Sequence, residues 1–298
     1  MAGYDQLFMT EYTGIKLRPD GNHILNIYLK TGRRKETSAR IINDTIQYIE
    51  SRQEFILHDF SSFVSYIYRP QISFNHELRA GIRNRRINDS LQQFNPDYLR
   101  SGSAESRYLY LRYQFNIDTR NTRLFPHSGN ALSMRFEKTG LGIFGKHNSV
   151  YTSINYTHYQ SVSSRISWQN HLAFKSSLGS RQPFYLNNAL GSNNHLSGYE
   201  YYTIHGSDYL FLQSRLTAEI LKQEIYLKFI PWEQFNRIPL KIYLQIYTGF
   251  GHVNNTNFEY LRNNRLANKN LYSVGLGLNF LTYYDKLFRM EYSINHMQ

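Results

Sequence analysis

Leu240-Lys241-Ile242-Tyr243-Leu244-Gln245-Ile246-Tyr247 is the stretch on which the fold turns. Its apolar members Leu240, Ile242, Leu244 and Ile246 recur at every second residue, with Lys241, Tyr243, Gln245 and Tyr247 between them. Successive side chains of an extended chain point to opposite faces, so this is a strand with one greasy face and one wet face. The same period runs through residues 108–117, where Leu109, Leu111, Tyr113, Phe115 and Ile117 alternate with Tyr108, Tyr110, Arg112, Gln114 and Asn116. It returns at 131–137, 165–175, 210–220, 272–280 and 288–295, and less cleanly at 24–31, 54–68 and 71–83. Helical spacing competes only around 41–49. With turns rich in Asn, Gly, Ser and Arg between them, these segments predict roughly twelve or thirteen strands of about 9–15 residues.

Composition narrows what such strands build. The chain has 298 residues, 26 Tyr, 19 Phe, a net charge of +12 and no cysteine. The missing cysteines exclude a disulfide scaffold, thiolate metal sites and a cysteine nucleophile. No apolar run of eighteen residues occurs, which excludes a membrane-spanning helix. Met1-Ala2-Gly3 opens directly into polar and aromatic sequence, so a secretory signal is expected to have been removed or to lie upstream. Basic charge with many aromatics suits nucleic-acid binding, but here the arginines are spread over many strands. The clusters Arg33-Arg34-Lys35 and Arg83-Asn84-Arg85-Arg86 fall at expected strand ends, as rims or contacts to an anionic leaflet do. A soluble sandwich would use shorter strands. The expected fold is all-β: one antiparallel transmembrane β-barrel over residues 1–298, of roughly 12–16 strands, with aromatic girdles and a polar lumen.

Two stretches break the strand rhythm. In the first, Phe115-Asn116-Ile117-Asp118-Thr119-Arg120-Asn121 runs through Pro126 into Gly129. Asp118 and Arg120 are placed to pair locally, and Asn121 to cap the turn. The second runs from Ser180 to Asp208 and contains Gly191-Ser192-Asn193-Asn194-His195-Leu196-Ser197-Gly198-Tyr199-Glu200-Tyr201-Tyr202, with Gly206 beyond. A loop this long between barrel strands is expected to fold into the lumen or to carry function.

Together, and in this order, these stretches resemble the BamA/TamA-like outer-membrane assembly and translocation superfamily, the bacterial surface antigen family. That family pairs an Asp-Thr-Arg-Asn/Asp…Pro…Gly turn with a later lumen loop carrying Arg-Gly-Tyr/Phe. The matches here are Asp118-Thr119-Arg120-Asn121 with Pro126 and Gly129, and Gly198-Tyr199-Glu200. The Gly-Tyr-Glu-Tyr-Tyr form is most similar to Bacteroidetes-type members. Two departures accompany the matches. Ser197 stands where the family's loop arginine is expected. In Tyr247-Thr248-Gly249-Phe250-Gly251, Gly249 stands where its aspartate partner is expected. Losing both ends together is coherent, since losing one would strand a confined charge. Hydrogen bonding by Ser197 and packing by Tyr199 are expected to replace that lock in part, with Glu200 as a second anchor.

The resemblance implies assisted insertion of outer-membrane proteins, or passenger export, at a weak seam between the first and last strands. It implies outer-membrane lipid and lipopolysaccharide as surroundings, with client barrel proteins or periplasmic accessory modules as partners. Neither cofactor, metal nor nucleic acid is expected. Family barrels have about sixteen strands. The shorter count leaves open a fragment, a reduced homologue, or a partial barrel completed by another chain. No POTRA module is seen ahead of the strands. A passive channel, a structural barrel and the anchor of a surface enzyme are the competing readings. Enzyme motifs are missing: the histidines lack metal-ligand spacing and no Gly-x-Ser-x-Gly elbow occurs. His58-Asp59 and His205 with Asp208 are the remaining base–carboxylate candidates.

Overall fold

The computed structural model describes residues 5–100, 102–144, 147–179, 182–191, 196–226, 236–255, 264–283 and 286–297. Met1-Ala2-Gly3 and Ser192-Asn193-Asn194-His195 lie outside them, as does Ser180. In chain order the elements are β1 (Asp5–Lys16), β2 (His23–Arg34), the hairpin β3 (Glu36–Ile42) and β4 (Thr45–Glu50), β5 (Leu57–Gln71) and β6 (Phe74–Ile87). A short helix α1 (Asp89–Phe94) precedes β7 (Glu105–Asp118), β8 (Gly129–Thr139), β9 (Ser149–Ser161) and β10 (Ile166–Gly179). The long connection then carries β11 (Asn188–Leu190) and β12 (Ile204–His205), before β13 (Asp208–Tyr226), β14 (Arg237–Asn254), β15 (Asn270–Thr282) and β16 (Lys286–Asn295).

Twelve of these strands form one antiparallel sheet in the order β1-β2-β5-β6-β7-β8-β9-β10-β13-β14-β15-β16. Every wall strand is hydrogen-bonded to the wall strand that follows it, the up-and-down topology predicted from the alternation. No ladder joins β1 to β16 among the described residues, so the two ends of the sheet are open edges. The 41–49 segment, where helical spacing competes, is the β3–β4 hairpin instead. Asn43 and Asp44 at its tip both have φ near +55°, given by values of 53° and 57°. A two-residue turn of that hand matches the twist of paired strands and sets Ile41 opposite Ile46 and Thr37 opposite Ile49.

The sheet is inside out relative to a soluble protein. On β14, Tyr243, Gln245 and Tyr247 are buried, whereas Leu244 and Ile246 are exposed. On β7, Tyr108 and Tyr110 are buried while Leu111 and Tyr113 are exposed. Val274, Leu276, Phe288, Met290 and Ile294 continue the exposed apolar belt. The accessible surface is 17616 Å², against ~13,000 Å² for a compact soluble chain of this mass. An apolar belt of this extent is stable only against lipid.

What soluble proteins do with a core, this chain does at one rim. The connections joining β2 to β5, β6 to β7, β10 to β13 and β14 to β15 all lie there and pack into two apolar clusters. One gathers Leu190, Leu196, Tyr199, Ile204 and Phe211 with Val253 and Leu271; the other gathers Ile41, Ile56, Leu91, Tyr98 and Phe184. Asp44 ties the hairpin tip to the clusters. Its carboxylate accepts from the backbone amides of Arg265 (2.9 Å) and Leu266 (3.3 Å), and its carbonyl accepts from Thr203 N–H (2.7 Å). At the opposite rim the connections described in full are short, apart from the one between β7 and β8.

Candidate functional site

The β7–β8 connection is built by its own side chains. Arg120 grips Asp118 through one edge of its guanidinium, Nε and Nη2 each donating at 2.8 Å, and Arg123 approaches at 3.4 Å. That carboxylate raises the Arg120 pKa above its ordinary value. Asn121 Oδ1 accepts from the amides of His127 (3.0 Å) and Ser128 (3.3 Å). Gly129 returns the chain to the sheet at φ +102°, where a Cβ would lie 2.2 Å from the Thr119 carbonyl oxygen. This folding turns Phe125 and Pro126 inward, and the Phe125 ring meets Tyr243 of β14 at 4.6 Å between centroids.

From the other rim the long loop descends. Leu196, Ser197 and Tyr199 are all buried. Gly198 sits at φ +88°, a backbone conformation that favours glycine, and a Cβ there would meet that of Ser273 at 3.1 Å. Both Glu200 carboxylate oxygens accept from Gly198 N–H at 2.9 Å, closing the turn. Asn295 of β16 donates to the Gly198 carbonyl at 2.6 Å. Gln213 of β13 donates to Ser197 Oγ. The other two motif glycines are close approaches: a Cβ on Gly191 would lie 2.6 Å from Tyr202 O, and one on Gly206 2.3 Å from Val253 Cγ1.

Tyr199 makes the decisive contact. Its hydroxyl donates to Tyr272 O at 3.0 Å, accepts from Tyr272 N–H at 3.1 Å and touches His296 Nδ1 at 2.5 Å. The β15–β16 ladder ends at Ser273 opposite Asn295. The hydroxyl therefore stands where the next rung, Tyr272 with His296, would have been. Burial pushes it above the usual phenol range, so it keeps its proton and can donate.

Two further expectations resolve on β14. Gly249, in the position expected for aspartate, makes room for an apolar plug. A Cβ on it would lie 2.8 Å from Leu196 Cδ1 and 2.6 Å from Ser273 Oγ, and one on Gly251 would lie 3.0 Å from Leu196 Cδ2. Tyr247 donates to Tyr292 O at 3.3 Å, and its ring covers Gly275. An ion pair does exist nearby, but it is carried by the wall: Arg215 of β13 meets Glu291 of β16 at 3.3 Å. Arg215 belongs to the polar face already visible in the alternation, yet nothing in the sequence marks its partner three strands further along the chain.

The two motif stretches, far apart in sequence and arising at opposite rims, line one cavity of about 400 Å³. Arg123, Phe125 and Pro126 approach it from the turn, Ser197 and Glu200 from the loop, and Arg215 and Glu291 from the wall. Sequence reasoning missed Leu196, Phe125, Asn295 and His296. Leu196 lies inside the quoted motif, but its role needs the glycine pair that only the strand register places beneath it. The enzyme candidates do not assemble. Asp59 is held by Arg85, and Asp208 accepts from Ser177 N–H (2.7 Å) and Ser207 Oγ (2.5 Å). His205 is buried against Phe184, and desolvation pushes its pKa down to about 3. No His/Asp/Glu group fit to hold a metal occurs among the described residues.

A twelve-stranded sheet with a lipid-type exterior and a polar interior occupied by its own loop defines the wall of a transmembrane β-barrel. A family model, the Omp85 superfamily domain, matches residues 51–284. The chain belongs to the Omp85 superfamily. Its fold is similar to that of BamA from Haemophilus ducreyi lacking POTRA domains 1-3, at a TM-score of 0.62 and 14% identity, covering 97% of this chain and 62% of that one. It is also similar to CdiB from Escherichia coli, at a TM-score of 0.54 and 12% identity, covering 97% of this chain and 53% of that one. The chain thus spans less than two thirds of either. No curated protein matches the sequence.

Proposed function

We propose that this chain is an outer-membrane barrel wall that assists insertion of outer-membrane proteins or export of a passenger, as its superfamily and fold suggest. One observation carries the reading: the lumen loop is fastened to β15 and β16, the strands at one open edge of the sheet. An unpaired strand edge is a template for another strand. Holding β16 from inside keeps that edge extended and in register while a client strand pairs with it. On this reading the short-turn rim faces the periplasm and the looped rim faces outward, as in other outer-membrane barrels. The apolar belt contacts lipid, and the basic rim residues meet lipopolysaccharide phosphates. The chain itself contributes no catalysis.

The test is assembly of a labelled barrel client into proteoliposomes containing the folded chain. Acceleration over empty liposomes supports the reading, and its loss in Gly198→Val places the activity with the loop-held edge. A chain that folds and inserts normally yet leaves client assembly at the empty-liposome rate overturns it.

A further inference from the structure

A second cavity, of about 630 Å³, opens on the lumen face of β6–β10 beneath the segment 185–189. Four cations line it, Arg83, Arg112, Arg135 and Lys175, against a single carboxylate, Glu137. That carboxylate is already engaged. Arg83 Nη1 donates to its Oε1 at 2.8 Å, and Arg112 Nε donates to its Oε2 at 2.6 Å. Arg135 and Lys175 have no acidic side chain within ion-pair distance among the described residues. Arg135 spends only Nε, on Gln114 Oε1 at 3.2 Å, leaving its terminal fork unused. Lys175 donates once, to the Leu186 carbonyl at 3.0 Å.

The strand register places these two groups around one point. Arg135 of β8 is opposite Ser153 of β9, and Ser153 is opposite Lys175 of β10. Adjacent strands lie about 4.8 Å apart, so the two cations flank the serine at roughly 10 Å between backbones. Ser133 and Asn155 lie on the same face, one pair further along. Like charges in a confined, partly desolvated space repel unless an anion joins them. A free guanidinium fork, an ammonium with unused donors, hydroxyls and an amide form a donor set that matches a tetrahedral oxyanion bearing several acceptor oxygens.

From this arrangement we infer that the cavity centred on Ser153 is a binding site for a phosphate-class oxyanion, gripped by Arg135 and Lys175. The site is separate from the loop-held edge and does not depend on client assembly. Either property can fail while the other stands.

Isothermal titration of the full chain, folded in zwitterionic detergent at low ionic strength, with inorganic pyrophosphate tests this. Saturable binding of one pyrophosphate per chain is expected. Each of Arg135→Gln and Lys175→Gln should weaken it roughly tenfold or more, the loss of a charge-assisted contact, and the double variant should abolish it. Arg135→Lys should retain part of the affinity, and Arg165→Gln, on the opposite turn, all of it. Heat-dependent gel migration confirms that each variant is folded. Absence of saturable heat, or an affinity the two variants leave unchanged, overturns the inference. A parallel arm presents phosphatidic acid in otherwise zwitterionic bicelles. Binding there alone, indifferent to both substitutions, places the anion on the outer surface and also overturns it.

Discussion

Tyr199→Phe removes one oxygen and tests how the loop holds the edge strand. In the parent, that oxygen serves both backbone groups of Tyr272 on the side where β16 has run out of ladder. A phenylalanine keeps the packing against Leu196 and the rest of the rim cluster but orphans one N–H and one C=O. Each unsatisfied buried backbone group costs about 1–3 kcal/mol, and water admitted by the loosened contact recovers some of it. A net loss of about 2–4 kcal/mol is expected, concentrated where the loop meets β15. Hydrogen exchange of the folded chain in micelles reads this locally: the Tyr272 amide should exchange roughly thirtyfold faster for ~2 kcal/mol. Amides in the β5–β6 region should be unaffected. Asn295→Ala, which loses the bond to the Gly198 carbonyl and the one accepted from Met297 N–H, should cost about 1–2 kcal/mol and leave the Tyr272 amide protected. Unchanged exchange at Tyr272 in Tyr199→Phe would refute the idea that the hydroxyl replaces a ladder rung.

Other perturbations separate the remaining contacts. Gly249→Asp should expel Leu196 from its seat and destabilise the loop by roughly 1–3 kcal/mol, seen as a lower temperature for the gel-migration shift. Gly129→Ala should cost roughly 3 kcal/mol or more through its left-handed backbone and the Thr119 carbonyl. Asp118→Asn at the same, part-exposed turn should cost under about 1 kcal/mol in urea unfolding. His205 stays neutral in the folded loop because burial pushes its pKa down to about 3, whereas in an opened loop it titrates near 6.5. The opened state therefore binds more protons below pH 6.5, and closure loses ~1.4 kcal/mol per pH unit from there down to about pH 3. Protease cleavage within residues 182–208 should accordingly rise at pH 5 over pH 7, by the equivalent of ~2 kcal/mol, and His205→Gln should flatten the difference.

The wall was legible in the sequence because its physics is local. Alternation along residues 240–247 needs only a lipid face and a wet face, and each strand repeats that requirement independently. The 41–49 segment misled for a related reason. Ile41, Ile42, Ile46 and Ile49 are spaced as on a helix, but Asn43 and Asp44 turn the chain between them, and β3 faces the rim cluster rather than lipid. α1 was invisible at six residues, too short for a period, although Asn88 caps it by accepting from Leu91 N–H. The motif turn was readable down to individual side chains because Asp118, Arg120 and Asn121 act on neighbours in sequence. The loop's anchorage was not, since Tyr199 reaches Tyr272 and His296, and Leu196 reaches Gly249 and Gly251. Only the register of β13–β16 makes those residues neighbours.

Leu196 and Tyr199 hold the loop where the resemblance leads one to expect an ion pair, and the two kinds of contact differ in how firmly they hold. A confined salt bridge draws its strength from geometry and loses it steeply once one partner moves, because the separated charges are left desolvated. A leucine seated on two glycines and a hydroxyl bonded to a strand end lose contact more gradually, and neither leaves an uncompensated charge behind. Charge is still present in the same lumen, but Arg215 and Glu291 join wall to wall, β13 to β16, and so brace the barrel without involving the loop. Seating of the loop by Leu196 and the wall-to-wall part of edge-strand bracing are thereby assigned to different residues, while Asn295 and the Tyr199 hydroxyl tie the loop to that same edge. Replacing Arg215 should loosen β16 while Leu196 keeps its seat, and replacing Gly249 should free the loop while the Arg215–Glu291 pair persists. In an ion pair running from loop to wall those two effects would be inseparable, which is what makes the two substitutions, compared by exchange at β16 and at the loop, a direct measure of the division.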